Sequence, residues 1–598
     1  MKGEAPLWRQ IQWGKEMSKS RPEAILSLVA TEGDRLSARN LATAAHRVAK
    51  VGGKGVQRDP RVAVLADACR RRVGEFDAQN LATTAWAFAK AGVRAPLLFE
   101  AIEEAATVGL FFSAQGLANT AWAFATAGVE APRLFEAIAR EAWWRLGDFT
   151  AQNLANTAWA FAKARVEASR LFDAIGEEVG GRSREFSAQA LANTAWAFAT
   201  AGVEAPRLFE AIAREAPRRL GDFTAQNLAN TAWAFAKARV EAVELFDAIA
   251  RAARGRIREF DSQALANTTW AFATAGAAAP ELFEEVAGAA PARLGSFRPQ
   301  ELANTAWAFA TAGVDAPLFF ETLAVAARVR SFNAQDLANT AWAFARAGVA
   351  APRLFAAIAE AALGRLSAFS AQGLSNLAWA FAAAGVAAPR LFEAIAGAFV
   401  TKKFECTAQN IATTAWAFAC ADWNDPCFLA DLAAAAAVAG LGGRDLSQLH
   451  LVALHCELAG GSPAWRFEER QMLQAAYESA TPRPSRLQRD VSAALEQIGW
   501  AHVFEHVTAE GLSLDMAQPL AKRAVEVDGP YHFLKEATSS SSSSSASCGT
   551  RRVENGATRF KSRLLRRLGW EVVRVPFYEW ARLPEEGQAP YLRAKLLL

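Results

Sequence analysis

Glutamine recurs at positions 79, 115, 152, 189, 226, 263, 300, 335, 372 and 409. Asparagine follows four residues later at 119, 156, 193, 230, 267, 304, 339 and 376, with Thr83 and Thr413 in its place at the two ends. A side-chain amide offers donor and acceptor side by side, which suits it to the edge of a nucleobase. Helical-repeat proteins can read single-stranded RNA at about one base per repeat through two or three side chains. Two further positions vary between copies and would carry such a code. One follows the glutamine: Asn80, Gly116, Asn153, Ala190, Asn227, Ala264, Glu301, Asp336, Gly373 and Asn410. The other lies four residues after a tryptophan: Lys90, Thr126, Lys163, Thr200, Lys237, Thr274, Thr311, Arg346, Ala383 and Cys420. Candidate RNA contacts in the repeats are therefore Gln115, Asn119, Thr126, Gln152, Asn156, Lys163, Gln226, Asn230, Lys237 and Arg346. The same amides also suit bonds to backbone or to a neighbouring repeat, and their exposure decides between the two roles. Asn accompanies Lys, and Gly or Ala accompanies Thr, in six copies; residues 112–168 and 186–242 are nearly identical, so duplication of a two-repeat block accounts for that pairing as well as a code does.

The elements that carry these residues follow from the period. Tryptophans stand at 86, 122, 159, 196, 233, 270, 307, 342, 379 and 416, spaced by 35 to 37 residues. A fixed period of this length marks a solenoid in which each repeat completes its neighbour's core. In one copy, Ser113 suits a helix N-cap, Gly128 a helix end and Pro132 the first turn of a second helix, which predicts a helix-turn-helix hairpin per repeat. On a helical wheel Leu117, Ala121 and Phe124 form the core side, whereas Gln115, Asn119, Trp122 and Thr126 share a semi-polar stripe. The tryptophans are expected to pack between repeats, since large aromatics dominate such contacts. Weaker copies place His46 and His455 where tryptophan would stand, as expected of repeats that cap a stack.

Composition narrows the function classes. The chain has 598 residues, 52% hydrophobic and 21% charged, with no apolar run near the ~20 residues that cross a bilayer. Cys69, Cys406, Cys420, Cys427, Cys456 and Cys548 form no CxxC pair, so neither zinc nor a disulfide framework is indicated and a reducing compartment is expected. The formal net charge is +4, yet residues 76–437 carry 30 basic against 35 acidic side chains. Non-specific nucleic-acid affinity comes from Lys and Arg on phosphates, so an acidic array binds RNA only where its charges segregate by face. Residues 1–30 read as an N-terminal segment, a targeting sequence or a truncated start, without the acid-poor composition of a clear presequence.

Past Pro482 and Pro484 the pattern changes to a helical stretch, two β-type runs (524–527 and 571–575) and an intervening Ser-rich tract read as a disordered insertion at about 537–556. In Arg559–Leu568, Phe560, Leu564 and Leu568 recur at helical spacing. That leaves Arg559, Arg563, Arg566 and Arg567 facing outward, with Lys561 beside them, as phosphate contacts or as a solvated basic helix. The run Glu526-Val-Asp528-Gly529-Pro530-Tyr531-His532, preceded by Leu514-Asp515 and followed by Thr558 to Trp570, resembles the RAP domain over about the last 110 residues. The array resembles the heptatricopeptide and octotricopeptide repeats that accompany RAP domains. The resemblance implies a factor of the mitochondrion or chloroplast that binds single-stranded RNA of organellar transcripts. Its implied work is post-transcriptional control: RNA processing, mRNA stability, rRNA maturation or translation. Other RNA-processing proteins are possible partners, and neither a membrane nor a small-molecule substrate is expected. RAP domains also resemble restriction-endonuclease folds, and that likeness implies catalytic candidates Asp515, Glu526, Asp528 and His532. Asp515, Glu526 and Asp528 would then be the metal ligands and Lys561 an assistant, although Asp528 stands where that pattern has lysine.

The expectation is a mainly α protein. It comprises an α-solenoid of about 11–12 helix-turn-helix repeats over 31–480, regular over about 76–437, and a small α/β RAP domain over 481–598. The leading reading is an RNA-binding factor without a cofactor. An RNA-guiding nuclease that uses Mg²⁺ and a protein-binding solenoid scaffold are the alternatives.

Overall fold

The structure is a computed structural model and describes residues 4–108, 112–402, 405–423, 441–460, 467–479, 484–536 and 552–597, with isolated positions between 425 and 432 and at 465. The protein is a mainly α helical-repeat solenoid of stacked helix pairs with a small C-terminal α/β region. It divides into two compact units, Met1–Leu282 and Phe283–Leu598.

In the first unit the hairpins form for the reasons read from the repeat. Ser113 Oγ accepts a hydrogen bond from the Gly116 N–H at the start of the helix Ala114–Ala127, and Thr150 and Ser187 do the same in the next copies. Gly128, Gly202 and Gly276 close their helices in the left-handed region, where glycine costs least. Arg165 and Arg239 hold the same conformation at φ 56° without that freedom. Proline opens the second helices at Pro96, Pro132 and Pro206. Leu117, Ala121 and Phe124 are buried as the wheel requires. Cohesion between hairpins rests on phenylalanine: the ring of each second helix meets that of the next first helix edge-on, as in Phe99–Phe124, Phe135–Phe161, Phe172–Phe198 and Phe209–Phe235 at 5.0 to 5.1 Å. Arginines add a second tie, Arg145 donating to the Phe112 carbonyl and Arg219 to the Phe186 carbonyl. Within the expected N-terminal segment, helices Leu7–Lys19 and Pro22–Glu32 bury Trp13, Met17, Ile25 and Leu26, and the Gln10 carbonyl accepts from Asn40 in the first weak copy.

The second unit continues the hairpins, with Phe320–Phe344, Phe355–Phe381 and Phe392–Phe418 repeating the edge-on contact. It then adds a four-stranded sheet in the order β2 (Val503–Val507), β3 (Ser513–Gln518), β4 (Arg523–Asp528), β7 (Glu571–Pro576), in which β4 and β7 run parallel. The helix Gly556–Arg567 provides the crossover side of that pair. Val491, Leu495, Met516, Val525, Val575 and Trp580 form the core between sheet and flanking helices. A second small sheet ties the two parts of this unit together. The strand β1 (Val349–Ala350) of a repeat pairs parallel with β5 (Phe533–Glu536), and β5 pairs with β6 (Val553–Glu554). Of the expected Ser-rich insertion, residues 537–551 lie outside the described residues, whereas Val553–Glu554 is strand. Cys69, Cys406, Cys420 and Cys456 are free thiols. Among the described residues no helix is long and apolar enough to cross a membrane.

Candidate nucleic-acid interface

The semi-polar stripe lies on the surface in both units. Every glutamine of the column is exposed and every asparagine half-buried. Among the described residues Gln115, Asn119, Gln152, Asn156, Gln226 and Asn230 have no hydrogen-bonding partner in the protein, so these amides do not serve the backbone or the next repeat. Thr126, Lys163, Lys237 and Arg346 are exposed beside them. Lysine at this position can lie over its own tryptophan, as Lys90 does with Nζ 5.7 Å from the Trp86 ring centre.

The other variable position is not part of this surface in the central repeats. Asn153, Ala190, Asn227, Ala264, Glu301 and Asp336 are at most 9% exposed. The position is the third residue of the helix, and its chemistry is capping. The Asn333 N–H donates to Asp336 Oδ2, and the Arg298 N–H to Glu301 Oε2. Burial excludes a base-reading role at these positions.

Between the amides and the basic positions runs the tryptophan ladder. In the first unit Trp122, Trp159, Trp196, Trp233 and Trp270 follow one another with ring centres 6.3 to 6.4 Å apart and planes 29° to 34° apart. His46 takes the expected place of a tryptophan, 5.3 Å from Trp86. In the second unit Trp307, Trp342 and Trp379 continue the pattern at 6.3 and 6.1 Å. These rings are half-buried, so they pack repeats together and still present an edge to solvent.

Trp416 departs from this. It is 6% exposed because Phe560, from the helix Gly556–Arg567, lies edge-on at 6.4 Å and also meets His455 at 5.9 Å. That docking corrects the reading of the basic helix. Arg559 donates to the Gly385 carbonyl at 2.6 Å, and Arg563 to the carbonyls of Ala419 and Cys420 while it pairs with Asp422. Arg567 also pairs with Asp422, at 3.0 Å. Helix C-termini present bare carbonyls and the negative end of the helix dipole, and these guanidiniums satisfy them. Arg559, Arg563 and Arg567 therefore join the domain to the repeats, although Arg559 and Arg567 remain exposed, and Arg566 alone of the four has no protein partner among the described residues. No signal within the helix identifies its neighbour, because a wheel ranks faces by polarity and polar faces can dock too.

Lys561 is engaged elsewhere, 2.8 Å from Glu526 Oε2. Burial works to lower its pKa, but the charges of Glu526 and Asp515 hold the ammonium above its usual range. Asp515 stands beside this pair. Burial, then the Glu526 charge, push its carboxyl up to about 6, and its oxygens accept from Gln488 Nε2 and the Val527 N–H, each at 2.7 Å. Glu526 Oε1 is buried without a partner. Asp528 belongs to a separate cluster: Arg574, opposite Glu526 on the neighbouring strand, chelates its carboxylate, and His532 Nδ1 lies 3.1 Å away. Burial would raise the Asp528 carboxyl, yet the hydrogen bonds from His532 and Arg574 hold it below its usual range. The expected metal trio Asp515, Glu526 and Asp528 thus does not form. Asp515 is tied to Gln488 and the Val527 N–H, Glu526 to Lys561, and Asp528 to Arg574 and His532, so the three carboxylates serve protein partners and not a common ion. Among the described residues no group of three His, Cys, Asp or Glu side chains is arranged to hold a metal ion.

A helical-repeat array joined to a sheet bearing the Glu-x-Asp-Gly-Pro turn defines a repeat protein with a RAP module. Comparison with known families agrees: residues 525–595 match the RAP domain, and residues 105–328 match the family described as RNA-editing substrate-binding complex 6 protein. The chain is thus similar to the RAP domain over its C-terminal sheet and to this helical-repeat family over part of its array. No curated protein matches it. Among solved structures, one titled as a homology model of the full-length AP-3 complex in an intermediate open conformation covers 79% of this chain and 89% of its own. Its identity is 9% and its TM-score 0.28, too low to bear on fold or function.

Proposed function

We propose that this protein binds single-stranded RNA of organellar transcripts along the stripe of open amides, basic side chains and tryptophan edges, and that it acts in post-transcriptional control. The observation that carries the reading is the stripe itself: Gln115, Asn119, Gln152, Asn156, Gln226 and Asn230, exposed or half-buried with no partner among the described residues, set beside exposed Lys163, Lys237 and Arg346. Such groups gain from hydrogen bonds to base edges and from neutralised phosphates. The family name at residues 105–328 supports an RNA substrate and protein partners in an RNA-editing complex. Processing, stability, rRNA maturation and translation are finer roles that share this one binding act.

The test is a selection from random single-stranded RNA on the full-length protein with Mg²⁺ present, reading both enriched sequences and cut ends. An enriched motif of about ten nucleotides, lost on Asn156→Ala with Asn230→Ala, supports the reading. Cleavage that disappears in Glu526→Ala would instead establish the nuclease, which the geometry of Asp515, Glu526 and Asp528 does not favour. Neither enrichment nor cleavage would overturn RNA binding and leave a protein scaffold.

A further inference from the structure

The unit Phe283–Leu598 encloses a cavity of about 710 Å³, well within the size range of ligand sites. Its wall combines Trp379 and Arg346 from the repeats, Arg444 and Gln448 from the helix Gly443–Leu458, and Tyr531 from the turn after β4. The wall is held by backbone. The Lys535 N–H donates to the Gly348 carbonyl at 2.7 Å where β1 meets β5, and Asn555 Nδ2 donates to the Tyr531 carbonyl at 2.7 Å. The Tyr531 ring nevertheless remains 93% exposed.

Charge in the wall is one-sided. Asp315 is neutralised by Lys535 at 2.6 Å. Arg346 and Arg444 have no ion pair among the described residues, although Arg145, Arg182 and Arg256 of other hairpins are each paired with acids. An open aromatic ring, the half-buried Trp379, an amide at Gln448 with no partner among the described residues, and two guanidiniums outside any ion pair there match the parts of a nucleotide. A base stacks on aromatic faces in a sequence-tolerant way, an amide meets its edge, and arginine grips phosphate.

We propose that this cavity is a nucleotide pocket which takes one unstacked nucleotide of a bound RNA strand, with Tyr531 and Trp379 against the base and Arg346 and Arg444 on the phosphate. The pocket deepens the RNA-binding reading and rests on it. Trp379 is the last half-exposed rung before Phe560 covers Trp416, so a strand that follows the stripe of this unit arrives here. A free nucleoside monophosphate offers the same base and phosphate, and the experiment separates the two sources.

Full-length protein and the variants Tyr531→Ala and Arg444→Ala, both at exposed side chains, are titrated with a labelled 14-nucleotide random RNA pool and, separately, with AMP, GMP, CMP and UMP. The pool is also synthesised with 4-thiouridine for crosslinking. The expected result is RNA affinity about tenfold weaker in each variant at an unchanged thermal midpoint, with crosslinks at Tyr531 or Trp379. Monophosphate binding by the parent protein that disappears in Tyr531→Ala, without an effect on RNA, retains the nucleotide pocket but overturns its place on the strand. Parent RNA affinity retained in both variants, with no monophosphate bound, overturns the pocket and leaves RNA binding intact. Failure of the parent protein to bind either probe overturns both readings.

Discussion

Lys163 and Asn156 lie about two turns apart on the same helix and make different contributions to the proposed RNA contact. Lysine neutralises phosphate irrespective of sequence, so Lys163→Ala should weaken all RNAs alike and reduce the slope of log affinity against log salt by about 0.7. Asn156→Ala should relax preference at one nucleotide and leave that slope unchanged; titrations at several salt concentrations distinguish the two. Asp515 gives a prediction about pH. Its folded pKa of about 6 lies above the ordinary carboxylate value, so the folded state holds its proton more tightly than the unfolded chain. The associated stability is present at acid pH and is lost as pH rises from about 4 through 6. In Asp515→Asn that loss should vanish, making the variant more stable relative to the parent at pH 7 than at pH 4, as read from thermal midpoints across the range. Much of this residue-level pattern was legible in the repeat, because spacing alone places Gln115, Asn119 and Thr126 on one stripe. Burial at the third helical position was not, since Asn153 and Glu301 look like surface residues in the sequence yet are buried in the fold.

Hairpin boundaries were read correctly from Ser113, Gly128 and Pro132, because capping chemistry is local. The phenylalanine contacts and the docked basic helix were not, because both depend on a partner far along the chain. Arg165 is a helix end where local preference is overridden: it occupies the left-handed region at φ 56°. Arg165→Gly should therefore raise stability by about 1 kcal/mol, measured by urea unfolding. At the junction with the RAP domain, burial, followed by the charges of Arg563 and Arg567, pushes the His455 pKa down to about 4, and burial with Arg470 does the same for His450. Unfolded histidine binds its proton near pH 6.5, so stability from these two groups is full above that value and declines as pH falls toward 4. Acidification should loosen the helix Gly443–Leu458 from its neighbours, and His455→Leu should reduce that sensitivity; hydrogen exchange on this helix at pH 7 and pH 5 provides the measurement.

Solenoids gain stability from nearest-neighbour interfaces, so damage stays near where it is made. Removal of residues 481–598 would uncover Trp416 and the Ala419 and Cys420 carbonyls. Protease cuts are expected in the hairpins nearest that face, with those of Met1–Leu282 as resistant as in the full chain. The Arg563–Ala419 contact spans 144 residues. Chains emerge from the ribosome at about 5 to 20 residues per second, so Trp416, the last tryptophan of the ladder, waits roughly 7 to 30 seconds for Phe560 to cover it. During synthesis that patch is an open apolar surface, and a messenger truncated before codon 556 would leave it open permanently. Chaperone engagement would then be set by the final segment to be translated, although most of the repeats precede it.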